Sequence, residues 1–245
     1  MEVTKMCVDV VILSAGRGSR LGGNNNNLSK SLLKINGKTI FQLIIEKAHK
    51  ALPSARINVV ITPYMVNPFS FEIQRIKMEN RIKIVIQKEP KGTLEAVCLT
   101  QTSQDSGLCV VLGDCIVKDE IFFQCIATSL NCGHIGCAPV NKGSYSSTVI
   151  ETHDNRVVKI LKGTKDQRGL RWTGRIYFPS SCELKREIIC GNAFQKTPFS
   201  NGEKNISKYL QMAMTAEFNF ICEKENDFVN INSPKDYQRA IKMMK

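Results

Sequence analysis

The stretch VDVVILSAGRGSRL, residues 8–21, decides the fold class of this chain. It starts with apolar, mostly β-branched residues, which are typical of a strand buried on both faces of a parallel sheet. Gly16 and Gly18 follow and let backbone N–H groups approach a phosphate, while Arg17 and Arg20 add positive charge. The third glycine of a dinucleotide-binding fingerprint and the Gly-Lys-Ser/Thr of a Walker A loop are absent. We expect a phosphate-binding loop of another kind; the alternative is a glycine-rich turn without a ligand.

Similar apolar runs recur along the chain, with helical patterns between them. Strands are predicted at 8–14, 57–62, 82–87 and 108–112, and helices at 40–50, 71–78 and 93–103. After about residue 134 the runs IGCAPV, STVIET, RVVKIL and GRIYF follow one another, then helices at 181–189, 203–215 and 234–244 and a strand at 217–222. Alternating strands and helices predict a three-layer α/β/α, Rossmann-like fold with a mixed, mostly parallel central sheet.

The composition is that of a folded, basic protein. Of 245 residues, 42% are hydrophobic and 23% are charged, which excludes collagen-like, coiled-coil and disordered classes. Lys and Arg number 34 against 22 Asp and Glu, a net charge of +12, so an anionic partner is expected. Aromatic residues make up 7% and no basic run exceeds two residues, so we expect no nucleic-acid partner.

Targeting and metal-binding patterns are weak. The apolar run from Val10 to Leu13 is far too short to span a membrane and no signal peptide precedes it, so we expect a cytoplasmic protein without a membrane partner. The ten cysteines lie mostly in apolar segments and are predicted to be free, buried thiols. Cys132, His134 and Cys137 are close enough in sequence for a zinc site to be tested.

Five motifs, in order, resemble those of the sugar-1-phosphate nucleotidyltransferases and related cytidylyltransferases. They are LSAGRGSRL with SKSLLKINGKTI (13–21 and 29–40), QKEPKGTLEAV (87–97), VVLGDCIV (110–117), WTGRIYF (172–178) and FVNINSPKDYQRA (228–240). The resemblance implies that a phosphate oxygen of an acceptor attacks the α-phosphorus of a nucleoside triphosphate and expels pyrophosphate. It also implies one domain over 1–245, with a nucleotide-binding half at 1–133 and an acceptor-binding half at 134–245.

The resemblance assigns the nucleotide contacts. Arg20 would lie along the triphosphate, and Lys30 would reach the α-phosphate and the incoming phosphate. The remaining predicted nucleotide-binding residues are Leu13, Ala15, Gly16 and Gly18 in the first loop and Gln87, Gly92 and Thr93 in the wall that reads the base. The alternative for Thr93 is the N-cap of a helix.

The resemblance also implies a Mg²⁺ cofactor. Asp114 follows an inner strand and would be one ligand, and the last motif offers Asn230 and Asn232, of which Asn232 is predicted as the second. N-acetylglucosamine-1-phosphate uridyltransferases are similar in using Asn there. The alternative for Asp114 is a cap of a helix that begins near Lys118.

The acceptor side departs most from the family pattern. Thr173, Gly174 and Lys162 are the predicted acceptor-binding residues, although Lys162 stands where a Glu is common. Trp172 replaces the usual Asn and either stacks on a sugar or belongs to the core. Ser29 replaces a proline and is expected to leave the loop less rigid.

Three functions follow from these expectations. The first is transfer from UTP to N-acetylglucosamine-1-phosphate or a hexose-1-phosphate; the second is a cytidylyltransferase that acts on a non-sugar phosphate such as phosphocholine. The third is a non-catalytic protein that binds nucleotide sugars. The predicted partners are a nucleoside triphosphate and a phosphorylated small-molecule acceptor, with homo-oligomerisation left open. Because the last motif is close to Lys245, no acyltransferase domain is expected.

Overall fold

The computed structural model describes residues 7–16, 29–139, 148–164, 169–214, 219–225 and 227–245. The strands are β1 (Val8–Leu13), β2 (Lys34–Ile35), β3 (Lys38–Thr39), β4 (Arg56–Ile61), β5 (Ile82–Ile86), β6 (Gly107–Leu112), β7 (Cys115–Val117), β8 (Gly133–Pro139), β9 (Thr148–His153), β10 (Arg156–Lys162), β11 (Leu170–Phe178), β12 (Phe220–Lys224) and β13 (Phe228–Asn230). The helices are α1 (Ile40–Ala51), α2 (Val66–Arg75), α3 (Thr93–Cys98), α4 (Ile121–Thr128), α5 (Glu183–Ile189), α6 (Asn192–Lys196), α7 (Ile206–Ala213) and α8 (Pro234–Met243), with short 3₁₀ helices at Lys30–Leu32 and Pro63–Met65.

One central sheet has the strand order β5-β4-β1-β6-β11-β8-β12-β10-β9. The strands β5, β4, β1 and β6 are mutually parallel. The strands β11 and β10 run opposite to the other seven. The sheet is therefore mixed and mostly parallel, as predicted.

Helices cover both faces of this sheet. Side chains alternate along β1, so that Val10 and Ile12 pack with α1, α2, α4 and α8, while Val11 and Leu13 pack with α3, α5, α6 and α7. Burying each such aliphatic side chain stabilises the fold by about 1.5–3 kcal/mol. Because a strand between two helical layers needs apolar residues on both faces, its sequence is an uninterrupted apolar run. The predicted three-layer α/β/α architecture is confirmed.

Some element boundaries differ from the sequence prediction. Helix α2 begins at Val66, before the predicted start at residue 71, because the 3₁₀ turn that Pro63 initiates leads directly into it. Helix α3 ends at Cys98, short of residue 103. Strands β7 and β13, three residues each, were not predicted, because so short a run carries no periodicity. The first residues of the predicted strand 217–222 lie outside the described part of the chain.

The cysteines are free, as predicted, although only Cys109, Cys115, Cys137 and Cys222 are fully buried, and the described residues form no zinc ligand set around them. All ten are free thiols, and burial raises the pKa of Cys109 to about 12. His134 forms hydrogen bonds to Glu223, at 2.7 Å, and to the carbonyl oxygen of Ser129, at 3.0 Å. Within the described residues, three or more His, Cys, Asp or Glu side chains do not converge anywhere. In the same residues, none of the helices combines the length and apolar character that crossing a membrane requires.

Candidate active site

The candidate site lies at the carboxyl ends of the adjacent parallel strands β1 and β6. These strands pair in register up to Leu13 and Leu112, and the backbone N–H of Gly113 donates to the carbonyl oxygen of Leu13 at 2.9 Å. The segments that follow the two strands, 14–16 and 113–114, therefore lie side by side. This edge is where ligands bind in open α/β sheets.

Close packing fixes the neighbouring segment that carries Lys30. A Cβ atom at Gly113 would lie 2.4 Å from the hydroxyl oxygens of both Ser14 and Ser31, so only glycine fits there. These two hydroxyls are hydrogen-bonded at 2.8 Å, and the Ser29 hydroxyl donates to the carbonyl oxygen of Ser14 at 3.1 Å. Ser29, which the sequence analysis expected to loosen the loop, instead ties it to the end of β1.

Lys30 lies between the two predicted metal ligands. Its Nζ donates to Oδ2 of Asp114 and to Oδ1 of Asn232, in both cases at 3.0 Å. The ammonium group is thus held between a carboxylate oxygen, which is negatively charged, and an amide oxygen, which carries a partial negative charge. The sequence reasoning brought these three residues to one site, and the structure places them in direct contact.

The short antiparallel pair of β7 and β13 aligns Asp114 with the asparagines. Asn230 pairs with Cys115, and the backbone N–H of Ile231 donates to the carbonyl oxygen of Asp114 at 3.0 Å. The alternative that Asp114 caps a helix is wrong, because α4 begins only at Ile121. The Ile121 N–H instead donates to Asp119.

Asn230 supplies an oxygen that needs a partner. Its Oδ1 is buried and has no hydrogen-bond partner among the residues that the structure describes. A buried, unpaired acceptor costs about 1–3 kcal/mol, and a cation would satisfy it. Asp114, Asn230 and Asn232 together offer the hard oxygen donors that Mg²⁺ prefers. The residues present therefore fit a divalent cation.

The base-reading wall contains an amide of fixed orientation. Gln87 is buried, and its Nε2 donates to the carbonyl oxygen of Gly92 at 3.1 Å and to Oε2 of Glu95 at 2.7 Å. Both partners are pure acceptors, so the amide nitrogen has to face them. The Gln87 carbonyl oxygen remains as the group that a ligand can use. The contact between Gln87 and Glu95 was not predicted from the sequence.

The segment 203–206 supports the same wall from the second half of the chain. Gly92 has a φ of +107°, and a Cβ there would lie 2.4 Å from the backbone oxygen of Lys204. The Thr93 hydroxyl donates to Asn205 Oδ1 at 3.2 Å and accepts from the Ile206 N–H at 3.0 Å. The alternative that Gly92 and Thr93 start a helix agrees with the structure, in which α3 begins at Thr93, but the N-cap is Gly92 and not Thr93. No local sequence signal identified Lys204 or Asn205.

These groups surround a cavity of about 420 Å³. Its lining includes the predicted residues Leu13, Ala15, Gly16, Lys30, Gln87, Gly92, Thr93, Asp114 and Asn232, together with Asn230 and Glu203. Gly18 and Arg20, also predicted here, lie outside the described residues, as does Arg17. Where the structure describes the predicted nucleotide and metal residues, it brings them to one cavity, and their roles there stay predictions.

The predicted acceptor residues do not line this cavity. Thr173 is completely buried, and its hydroxyl donates to Glu225. A Cβ at Gly174 would lie 2.9 Å from the Cys115 sulfur, which explains the glycine by packing. Lys162 is exposed at the end of β10. Trp172 packs against the core on the α5 side of the sheet, and its indole N–H donates to the backbone. Their contact with an acceptor stays a prediction.

A buried ion pair involves β11, the strand that carries the predicted acceptor residues Thr173 and Gly174. Arg175 and Glu225, 1% and 0% exposed, form an ion pair of 2.7 Å, and Thr173 completes the network. Burial raises the pKa of the Glu225 carboxyl, although the charge of Arg175 opposes the shift. Burial, together with the positive charge of Arg175, lowers the pKa of nearby Lys47 to about 8. The sequence analysis found neither Arg175 nor Glu225.

Part of the candidate site lies in a segment that matches a known protein family. The family model described as "Nucleotidyl transferase" matches residues 9–136. The protein named bifunctional protein GlmU from Methanococcus vannielii is 28% identical over 239 residues, which cover 95% of this chain and 54% of that protein. Across the curated relatives that it matches, the chain spans about half of their length or less.

Solved structures share the fold. UDP-glucose pyrophosphorylase, in a complex with UDP-glucose, has a TM-score of 0.76 and 16% identity, over 97% of this chain and 98% of that one. CTP:phosphocholine cytidylyltransferase from Streptococcus pneumoniae has a TM-score of 0.75 and 16% identity, over 97% and 99%. Since the family model covers more than half of the chain, this chain belongs to the nucleotidyl transferase family.

Proposed function

We propose that this chain transfers a nucleotidyl group from a nucleoside triphosphate to a sugar-1-phosphate and releases pyrophosphate. UTP is the favoured nucleotide, and N-acetylglucosamine-1-phosphate or a hexose-1-phosphate the favoured acceptor. The observation that carries the proposal is the convergence of Lys30, Asp114 and Asn232 in one cavity with the Gln87 wall. We further propose that residues 1–133 bind the nucleotide and 134–245 the acceptor, within one domain over 1–245. Residues Leu13–Gly16 and Gln87–Thr93 in the cavity wall support the first assignment.

The side chains in the cavity supply charge and position. The reaction joins two anions, so it needs electrostatic neutralisation and alignment, while an ionised phosphate needs no general base. Lys30 would release Asp114 and Asn232 and contact the α-phosphate and the attacking oxygen. The first loop, through Ala15 and Gly16, would offer its backbone amides to the phosphates. Arg20 would add charge along the triphosphate.

Asp114 and Asn232 would hold Mg²⁺, and the side-chain amide oxygen Oδ1 of Asn230 would be a further donor. When bound, Mg²⁺ neutralises charge on the phosphate oxygens and orients the leaving group. Asp114 is the one negatively charged ligand of the three, so its removal should weaken the site most. Asn230 would gain the partner that it lacks among the described residues.

The second candidate is a cytidylyltransferase acting on a non-sugar phosphate. It is favoured by two residues that line the cavity, Gln87 and Glu203, whose side-chain oxygens would accept from the exocyclic amine of cytosine. Uracil would use its N3–H with the same Gln87 oxygen. Both candidates share the cavity and the metal ligands and differ in the base and the acceptor.

Pyrophosphate release tests the proposal. Purified protein is incubated with Mg²⁺, each nucleoside triphosphate in turn, and a panel of sugar-1-phosphates and phosphocholine. We expect turnover with UTP and a sugar-1-phosphate, loss of turnover in Asp114→Asn, and near-normal turnover in Asp119→Asn, a matched change outside the cavity. Turnover only with CTP and phosphocholine would select the second candidate. Nucleotide binding with no turnover across the panel would reject both and leave the non-catalytic function.

A further inference from the structure

A second cavity lies on the α8 side of the sheet, away from the candidate active site. Its volume is about 480 Å³, and it shares no lining residue with the first cavity. The strands β8, β11 and β13 and the helix α8 form its walls. The lining residues are Ala138, Pro139, Arg171, Asp227, Phe228, Val229, Arg239, Lys242 and Met243.

The charges around this second cavity are unbalanced. Arg171, Arg239 and Lys242 line it, against the single carboxylate of Asp227. Within the described part of the chain, none of these three cations forms an ion pair with a carboxylate. Three positive groups that face one space repel one another, and that space attracts an anion.

Arg171 is the least exposed of these cations. Its guanidinium carbon lies 4.8 Å from the centre of the Phe228 ring, and its Nε is buried without a hydrogen-bond partner among the described residues. Burial and the positive charge of Arg239 lower the pKa of Arg171, although the carboxylate of Asp236 opposes the shift. A partly buried guanidinium with an unused N–H is costly, and an oxyanion that accepts from it would remove the cost.

We propose that this second cavity binds a small phosphate-bearing anion. The planar guanidinium of Arg171 presents a fork of N–H donors that matches phosphate oxygens, and the ring of Phe228 holds the guanidinium in place. Arg239 and Lys242 stand on the exposed face of α8 and supply further charge at the cavity mouth. The shared chemistry is that of inorganic phosphate, pyrophosphate and the terminal phosphates of small esters.

The same backbone segment lines both cavities, which connects the new site to the first. In β13, Phe228 lines the anion cavity, whereas Asn230 lines the candidate active site. In α8, Asp236 accepts a hydrogen bond from the Asn232 N–H at 3.1 Å, and Arg239 follows one turn later. An anion held between β13 and α8 would therefore steady the segment that carries both asparagines.

Calorimetric titration with inorganic phosphate and with inorganic pyrophosphate, in separate arms and without Mg²⁺, tests the proposal. The decisive variant is Arg239→Glu with Lys242→Glu, because both side chains are exposed and their replacement leaves the core intact. The matched control is Lys235→Glu with Lys245→Glu, which makes the same change in net charge outside the cavity. Lys30→Met reports binding in the candidate active site, and melting temperatures confirm that each variant is folded.

We expect at least one anion to bind the wild type, with affinity at least tenfold weaker in the cavity variant and within twofold of the wild type in the control and in Lys30→Met. Equal weakening in the cavity and control variants would overturn the proposal, because it would indicate general attraction to a basic protein. The absence of binding in both arms would overturn it as well. Loss of all binding in Lys30→Met alone would place the anion in the candidate active site and also reject the second site.

Discussion

Polar groups at the ends of strands β1, β6 and β13 line the candidate active site, whereas those in the middle of strand β11 are buried and bond to Glu225. Lys30 and Gln87 reach the cavity from segments next to parallel strands. Thr173 and Arg175 point into the interior and end on Glu225. The difference teaches that the segments at the strand ends turn polar groups towards the cavity, while β11 uses Thr173 and Arg175 to hold Glu225 in the interior.

Removing the buried carboxylate should have the largest effect. Glu225→Ala leaves the Arg175 guanidinium charged and unpaired in the interior, and we expect a loss of about 3–5 kcal/mol in the free energy of unfolding. Urea denaturation measures this loss. The double variant Arg175→Met with Glu225→Leu is the control, and its stability should lie within about 1–2 kcal/mol of the wild type, because no unpaired charge remains. A double variant as unstable as Glu225→Ala would contradict the role of the ion pair.

The pH dependence of stability gives the same network a second test. Because the folded protein raises the pKa of Glu225 above its unfolded value, the folded state holds this proton more tightly. As pH rises above about 4.5, the unfolded state loses the proton first and stability falls. Glu225→Gln cannot titrate. We therefore expect the wild type to lose stability relative to Glu225→Gln as pH rises above about 4.5, and a constant difference would contradict the raised pKa.

Lys30→Met tests the cavity side of the comparison. We expect kcat for pyrophosphate release to fall by about 100–1,000-fold, the size typical of removing one group that stabilises the transition state. The melting temperature should change little, because the Lys30 side chain is partly exposed and its ion pair with Asp114 is local. Lys34→Met, at an exposed position of the neighbouring strand β2, is the control. A loss of stability as large as that of Glu225→Ala would show that Lys30 holds the fold instead.

Replacing Glu95 should have a smaller effect on activity than replacing Lys30, and the effect should depend on which nucleotide is used. Glu95→Ala removes one of the two acceptors that fix the Gln87 amide, so the amide can rotate. We expect KM for the preferred nucleotide to rise about tenfold, or about 1.4 kcal/mol, with kcat nearly unchanged and the ratio between UTP and CTP reduced. In Glu95→Gln the side-chain oxygen still accepts from Gln87 and should restore the preference. An equal fall in kcat for both nucleotides would argue against base orientation.

Thr173→Val should have the smallest effect on activity. The hydroxyl that it removes donates to Glu225, so the variant should lose about 1–2 kcal/mol of stability, the cost of one unsatisfied buried group. KM for the acceptor should stay within twofold of the wild-type value. A large rise in this KM without loss of stability would show that Thr173 contacts the acceptor, as the family resemblance implies. The measurement therefore decides between the two assignments of this residue.

The sequence predicted the parallel part of the fold well for a physical reason. A strand such as β1, covered by helices on both faces, needs an uninterrupted apolar run, and such runs are visible without any partner. The three-residue strands β7 and β13 are too short to show a pattern, although they align Asp114 with Asn230. Their existence depends on pairing between distant segments, which no local signal reports.

In the candidate site, too, contacts between residues far apart in the chain leave no local sequence signal. Lys30 and Asn232 lie 202 residues apart, and only motif resemblance brought them together before the structure did so. Glu225 carries no motif, and a lone Glu after a strand is ordinarily exposed, so the sequence gives no reason to bury it. The ion pair with Arg175 becomes visible only when β11 and β12 are placed on the two sides of β8.

The position of Lys30 ties two binding events together. Its ammonium already satisfies Asp114 and Asn232, so these oxygens are held in a converged arrangement before any ligand arrives. A phosphate that draws the ammonium away frees both oxygens at once for a divalent cation. If Mg²⁺ and nucleotide bind as proposed, thermodynamic linkage requires that each raises the affinity for the other by the same factor. Lys30→Met should abolish part of that mutual enhancement and let the metal bind without the nucleotide.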